Sequence, residues 1–268
     1  VLPTPVLAYA TKALSADIGI MVTASHNPPA DNGYKVYVGP SADGISYANS
    51  QIITPTDGLI ADEIRAITKL STQPRGSKWS VVTEEIIEEY IARTATLGPK
   101  PGSLKIVYTA MHGVGTQTLT EVFEKASFPP LILVAEQSEP DPDFPTVAFP
   151  NPEEPGAIDL AISTARAHNA DLVIANDPDA DRCAAAIKDR DGQWRALRGD
   201  ELGVIFGEWI ARTAPTGTFG NSIVSSSILR KISAHYGIKF EEVLTGFKWL
   251  AKIEDLAFGY EEAIGYAV

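Results

Sequence analysis

Short apolar runs of four or five residues alternate along this chain with longer stretches whose apolar positions recur at helical spacing. That alternation is the signature of repeated strand-helix units around largely parallel sheets, so the expected fold class is α/β. Strands are expected at 18–22, 35–38, 105–109, 131–134, 172–175, 184–188, 222–225 and 240–244. Helices are expected at 60–70, 116–125, 157–167, 201–212, 228–235 and 249–253. A further helix is expected to run to about Leu97, with Thr83 as N-cap before Glu84 and Glu85 and with Ile86, Ile87, Tyr90 and Ile91 on one face.

Breaker-rich stretches at 71–78 and 98–103, and a third break near Arg198-Gly199-Asp200, divide the chain. The expected pieces are 1–78, 79–198 and 199–268, of which the first and last look incomplete. Asp191-Gly192 reads as a tight hairpin turn. Because the chain starts at Val1 and ends on an apolar stretch, it is expected to be a fragment of a longer protein.

Composition removes several classes of function. At 268 residues the prior is about two domains at roughly 150 residues each. With 44% hydrophobic and 21% charged residues the chain can bury a core. The net charge of −12 opposes long-range attraction to nucleic acid or to an anionic membrane, so neither is expected as a partner. An anionic ligand would have to be met by local donors or a metal. The lone cysteine, Cys183, fits a reducing compartment, and the cytoplasm is the expected location.

The strongest chemical signal is Asn176-Asp177-Pro178-Asp179-Ala180-Asp181-Arg182, directly after the apolar run 172–175. In open α/β sheets ligands gather beyond the carboxyl ends of strands, which is where this loop falls. Three carboxylates at alternate positions repel one another, and a hard divalent cation taking oxygen ligands relieves the repulsion. Mg²⁺ is the expected ion. A calcium EF-hand starting at Asp177 fails on spacing, since Arg182 and Lys188 stand where Gly and Glu are needed. Zinc lacks its Cys and His ligands here. The plainer alternative is a solvated acidic loop in which Arg182 pairs with one Asp.

A second segment, Thr23-Ala24-Ser25-His26-Asn27-Pro28-Pro29, also follows an apolar run. Ser25, with His26 beside it, is a candidate nucleophile or phosphate carrier, although Asn27-Pro28 is also an ordinary turn. After the turn Asp31-Asn32-Gly33, Lys35 is a candidate phosphate ligand or general base. The loop from Thr109 to Thr116 opens a helix with two glycines and His112, which reads equally as a capping residue or a site residue. His168 and His235 fall late in helices and are given no role. Finally, Thr245-Gly246-Phe247-Lys248-Trp249 and Gly259-Tyr260-Glu261-Glu262-Ala263-Ile264-Gly265 read as loops. A carboxylate between glycines and an aromatic ring suits vicinal sugar hydroxyls, whereas aromatic residues such as Phe247 and Trp249 are more often core than binding site.

Taken in order, these loops resemble the α-D-phosphohexomutase superfamily of phosphoglucomutases and phosphomannomutases. Thr23 to Pro28 is similar to that family's phosphoserine loop, Asp177 to Arg182 to its metal loop, and Gly259 to Ala263 to its sugar-binding loop. The resemblance implies consecutive three-layer α/β domains with mixed, largely parallel sheets. It also implies a four-domain enzyme of which this sequence holds the end of domain 1, all of domain 2 and most of domain 3. Carried to matching positions, it makes Ser25 a phosphoserine and places Mg²⁺ between Ser25, Asp177, Asp179 and Asp181. It further makes Arg182 a stabiliser of the transferring phosphoryl, and Lys35 and His26 the proton-transfer and phosphate-orienting groups, with His112 a weaker candidate. Substrate binding is implied for Gly246, Phe247, Lys248, Glu261 and Ala263.

The implied reaction interconverts the 1- and 6-phosphates of glucose or mannose through a bisphosphorylated sugar, with a sugar 1,6-bisphosphate as activator. Ala263 stands where the family usually has Ser, a variant similar to a branch that includes mutases of ribose phosphates, which leaves a phosphopentomutase as an alternative. Pro178 and Ala180 replace the glycines usual in the metal loop. Two other readings are a non-catalytic sugar-phosphate or metal-binding module and an aspartyl phosphatase of the haloacid-dehalogenase type. The latter lacks its Thr or Val two residues past the second Asp, where Asp181 stands.

Overall fold

The computed structural model describes residues 1–39, 50–213 and 216–268. It opens with α1 (Thr4–Ala13), a helix absent from the sequence expectation. The face it buries carries Thr4, Val6 and Thr11, so two of its three core residues are threonines and no apolar period marks it. Thr11 packs so closely under Gly19 that a Cβ there would lie 2.0 Å from its hydroxyl. Strands β1 (Ile18–Val22), β2 (Tyr34–Val38) and β3 (Ser50–Gln51) then form an antiparallel sheet in that order. Helix α2 (Thr56–Ala66) begins four residues before the expected 60–70. It buries none of its residues, so its apolar pattern marks no packing face and misplaces the ends.

Helix α3 (Glu85–Ala95) starts after Glu84, and Thr83 is not its cap, because the Thr83 hydroxyl engages the Glu85 side chain instead at 3.2 Å. Next come β4 (Ile106–Thr109), α4 (Gly115–Lys125), β5 (Ile132–Leu133), α5 (Asp159–Ala167), β6 (Leu172–Asn176), β7 (Cys183–Lys188) and β8 (Trp194–Ala196). Their sheet has the order β5-β4-β6-β7-β8, parallel through β5, β4 and β6 and antiparallel beyond. Its core joins Val107, Val173, Ala175 and Ala186 to Ala161 and Ala165 of α5. Gly192, with φ +78°, makes the expected tight turn between β7 and β8.

The third sheet follows α6 (Gly199–Thr213) and contains β9 (Thr218–Ser222), β10 (Lys239–Val243), β11 (Leu256–Glu261) and β12 (Gly265–Ala267), with α7 (Ile228–Tyr236) and α8 (Phe247–Leu250) between strands. Its order is β10-β9-β11-β12, with only β12 antiparallel. The strand expected at 222–225 lies instead at β9, whose five residues are all buried despite their polar sequence. Ile223 and Val224, the apolar pair that misled the pattern, are exposed. Likewise the helix expected at 249–253 is α8, which starts right after Gly246, and the first three residues of the 259–265 segment are strand rather than loop.

Ile264, in the turn of the β11–β12 hairpin, is buried in the core of the second sheet, and its carbonyl accepts a hydrogen bond from Cys183 N–H at 3.0 Å. Tyr266 packs against all three core clusters. The hairpin is therefore pinned beside the start of β7, next to Arg182. Among the described residues no helix is long and apolar enough to cross a membrane.

Candidate active site

Two strand ends create the centre of the site. Where β1 stops at Val22, Thr23 N–H bonds Gly33 C=O at 3.0 Å and closes the loop that leads into β2. Within it the Ser25 N–H bonds the Thr23 hydroxyl at 2.8 Å, and Ser25 takes the left-handed backbone, φ 54°. Where β6 stops at Asn176, the chain turns through Pro178 and Ala180, the latter also left-handed at φ 54°. Asn176 closes this second loop, accepting from the Tyr108 hydroxyl at 3.0 Å and donating to the Arg182 carbonyl.

The two loops meet. Ser25 Oγ lies 3.0 Å from Asp177 Oδ2, 3.3 Å from Asp179 Oδ1 and 3.3 Å from His26 Nδ1. One carboxylate oxygen from each of Asp177, Asp179 and Asp181 falls within 4.8 Å of the others. Lys35, the second residue of β2, reaches Asp179 Oδ2 at 2.7 Å and also pairs with Asp181 Oδ2. Asp177 Oδ1 accepts the Arg182 N–H at 3.0 Å. Thr4, at the start of α1, gives its hydroxyl to Asp179 Oδ2 at 2.6 Å and its N–H to the Asp179 carbonyl at 2.9 Å.

Burial and mutual repulsion set the protonation. Asp177 is fully buried, and that burial, with Asp181 and Asp179 beside it, raises its carboxyl well above the usual range. Asp181 is raised too, by burial and by Asp179. For Asp179 burial pushes the same way, but Lys35 and the Thr4 hydroxyl outweigh it and hold the carboxyl low. Lys35 is disfavoured as a cation by burial, yet Asp181 and Asp179 keep it above the ordinary lysine range. Burial and the Arg182 charge lower His26, which packs edge-on to Phe149 with centroids 6.2 Å apart. The Arg182 side chain makes no ion pair among the described residues, contrary to the plainer reading of the loop.

The loop around His112 serves this centre by shape. A Cβ on Gly113 would lie 2.3 Å from the Pro178 backbone, and Val114 N–H bonds Pro178 C=O at 2.9 Å, so the two loops lie flush. The His112 ring is buried and bonded to the Thr146 hydroxyl at 2.8 Å, which Gln137 shares at 2.8 Å. Ser25, Asn27, His112 and Asp179 all border one cleft of about 530 Å³.

On the third sheet, Glu261 is buried, and that burial raises its carboxyl while the Gly246 N–H that it accepts opposes the shift. Gly246 has φ +124°, a backbone open to glycine, and so presents that N–H. Phe247 packs on Gly265, where a Cβ would be 2.7 Å from its ring. Lys248 makes no ion pair among the described residues. Glu262 is braced by Ser222 at 2.7 Å and Ser225 at 3.2 Å.

Sequence reasoning reached Ser25, Lys35 and the three aspartates, which the structure brings together. It missed Thr4, Tyr108, the Thr146–Gln137 pair and the two serines under Glu262. Only Thr4 carried a signal, standing between Pro3 and Pro5 at a helix start. The others contribute through contacts between distant segments.

A serine against three clustered carboxylates, on consecutive α/β units, defines a class. Residues 1–59, 87–192 and 198–268 match alpha/beta/alpha domains I, II and III of phosphoglucomutase/phosphomannomutase. The chain belongs to that family. It is 47% identical over 272 residues to a probable phosphomannomutase of Haemophilus influenzae, covering 100% of this chain and 55% of that protein. It is 38% identical over 290 residues to the phosphopentomutase of Homo sapiens, covering 98% and 47%. In fold it is similar to a phosphoglucomutase/phosphomannomutase family protein of Burkholderia thailandensis, at TM-score 0.79 and 23% identity over 99% of this chain and 56% of that one. The chain thus spans about half the length of the curated relatives it matches.

Proposed function

We propose that this chain carries the phosphoryl-transfer centre of a phosphosugar mutase that interconverts the 1- and 6-phosphates of glucose or mannose. The observation that carries the reading is the approach of Ser25 Oγ to Asp177 and Asp179. The repulsion that raises Asp177 and Asp181 would be relieved by a divalent cation, and an all-oxygen donor set suits a hard one, so Asp177, Asp179 and Asp181 fit Mg²⁺. When bound, the ion supplies charge stabilisation to the transferring phosphoryl group.

Ser25, as phosphoserine, gives its phosphoryl to the free hydroxyl of a sugar monophosphate. The P–O bond to Ser25 breaks as a P–O bond to the sugar forms, and the hydroxyl proton leaves through His26, whose lowered basicity keeps it neutral. The bisphosphorylated sugar turns over and returns its other phosphoryl to Ser25. Lys35 stays charged and draws the phosphoryl oxygens inward, and Arg182, unpaired among the described residues, meets the same charge from the end of the metal loop. Glu261, oriented by Gly246, accepts hydrogen bonds from the sugar hydroxyls, with Phe247, Lys248 and Ala263 around it. The functional units are 1–78, 79–198 and 199–268, and a sugar 1,6-bisphosphate charges Ser25.

A phosphopentomutase is the second reading, favoured by Ala263 and by the 38% identity to a phosphopentomutase. In the full-length protein, Ser25→Ala is expected to abolish interconversion of glucose 1-phosphate, and full activity in that variant would refute the mutase reading. Specificity constants for glucose 1-phosphate, mannose 1-phosphate and ribose 1-phosphate separate the two sugars.

A further inference from the structure

The three carboxylates are not equivalent at their two oxygens. Asp177 Oδ1 is taken by the Arg182 N–H, Asp179 Oδ2 by Thr4 and Lys35, and Asp181 Oδ2 by Lys35. What remains is Asp177 Oδ2, Asp179 Oδ1 and Asp181 Oδ1, and the first two are the oxygens within hydrogen-bond range of Ser25 Oγ. Each carboxylate therefore has one oxygen tied to α1, β2 or the backbone of its own loop, and the second oxygens of Asp177 and Asp179 face Ser25 Oγ, the group the cation reading places beside the ion.

Thr4 is the least expected of these donors. It comes from α1, 175 residues from Asp179 in sequence, and is 1% exposed. Its N–H and hydroxyl grip both the backbone and the side chain of Asp179, which fixes the rotation of that carboxylate. The position is the first residue of a helix, where a backbone N–H has no partner within the helix and is free to reach out. A hydroxyl donating to Oδ2 also prevents Asp179 from offering both oxygens to one ion.

We infer that Thr4 is a positioning residue of the cation site: by holding Asp179 Oδ2, it assigns Oδ1 as the single ligand atom of that carboxylate. This rests on the cation reading of the triad. Partners that orient a ligand typically carry 10- to 100-fold of metal affinity.

The test is Mn²⁺ binding to the full 268-residue chain, followed by the electron paramagnetic resonance signal of the free ion, with no sugar present. Wild type is expected to bind one Mn²⁺, Thr4→Val to bind it about 10- to 100-fold more weakly, and Thr4→Ser, which keeps the hydroxyl, to bind like wild type. Circular dichroism and melting of the metal-free variants show that they are folded. If valine disturbs packing, Thr4→Ala removes the same hydroxyl and carries the same expectation. Wild-type affinity in folded Thr4→Val or Thr4→Ala overturns the inference while leaving the cation site standing. Equal weakening in Thr4→Ser would also overturn it, since the effect would then follow packing rather than the hydroxyl. A folded wild-type chain that binds no Mn²⁺ removes the cation reading and this inference together.

Discussion

The two sides of the site are built differently. On the Ser25 side, every carboxylate of 177–181 already has a protein partner, drawn from α1, β2 or its own loop, and the neighbouring loop is pressed against Pro178 with no room for a side chain on Gly113. On the Glu261 side, a hairpin turn is anchored by Ile264 in the core of the second sheet and by Ser222 on Glu262, while among the described residues Glu261 accepts one hydrogen bond, from the Gly246 N–H. The difference teaches where each task resides. Charge handling needs a rigid, crowded centre, because electrostatic stabilisation depends on donors that do not have to reorganise. On the proposed reading, recognising a sugar needs a scaffold whose tip, at Ala263, can change by one residue without disturbing the centre.

The comparison breaks first if the crowded side tolerates crowding. Gly113→Ala puts a Cβ on the Pro178 backbone and is expected to cost about 3 kcal/mol, read by urea unfolding, with loss of Mn²⁺ binding. Asp177→Asn sharpens the electrostatic half. Because burial raises this carboxyl in the fold, the folded state binds its proton more tightly than the unfolded chain does. Metal-free stability due to this group is therefore full below the unfolded carboxyl pKa and is lost as pH rises toward the folded value. Denaturation from pH 4 to pH 8 is expected to show that decline in wild type and a flatter profile in Asp177→Asn, which should also fail to hold Mn²⁺.

On the open side effects are smaller. Ala263→Ser is expected to leave stability unchanged and to raise the preference for hexose over pentose phosphate by roughly five- to tenfold, one added hydrogen bond's worth, in specificity constants. Smallest, and back on the Ser25 side, is Ala180→Gly, which adds no side chain to the crowded loop, relieves a left-handed backbone at the expense of glycine's entropy and should stabilise by about 0.5 kcal/mol in thermal melts.

Much of this was legible from local pattern. The strands that end at Ser25's loop and at Asp177 are apolar runs followed by polar turns, and β1 matches its expected span. Of the elements that escaped, α1 and β9 owe much of their burial to polar or small side chains rather than to an apolar pattern, whereas β11, with Phe258 and Tyr260 buried, was hidden by the glycine and glutamates read as a loop. In α1 the core face is threonine, and in β9 a strand of Thr, Phe, Gly, Asn and Ser is buried because neighbours close over it. Conversely α2, Ile223 and Val224 look like core in sequence and face solvent. The candidate site follows the same division. Asp177, Asp179 and Asp181 announce themselves by spacing, whereas the Thr4 brace and the Gly113–Pro178 contact arise only when segments far apart in sequence pack together.

The central claim is that Ser25 carries phosphate. The direct measurement is peptide mass spectrometry of the full-length protein after incubation with Mg²⁺ and glucose 1,6-bisphosphate. Phosphate on Ser25, absent when the metal is chelated, is the predicted result. An unmodified Ser25 in folded, metal-bound protein would contradict it.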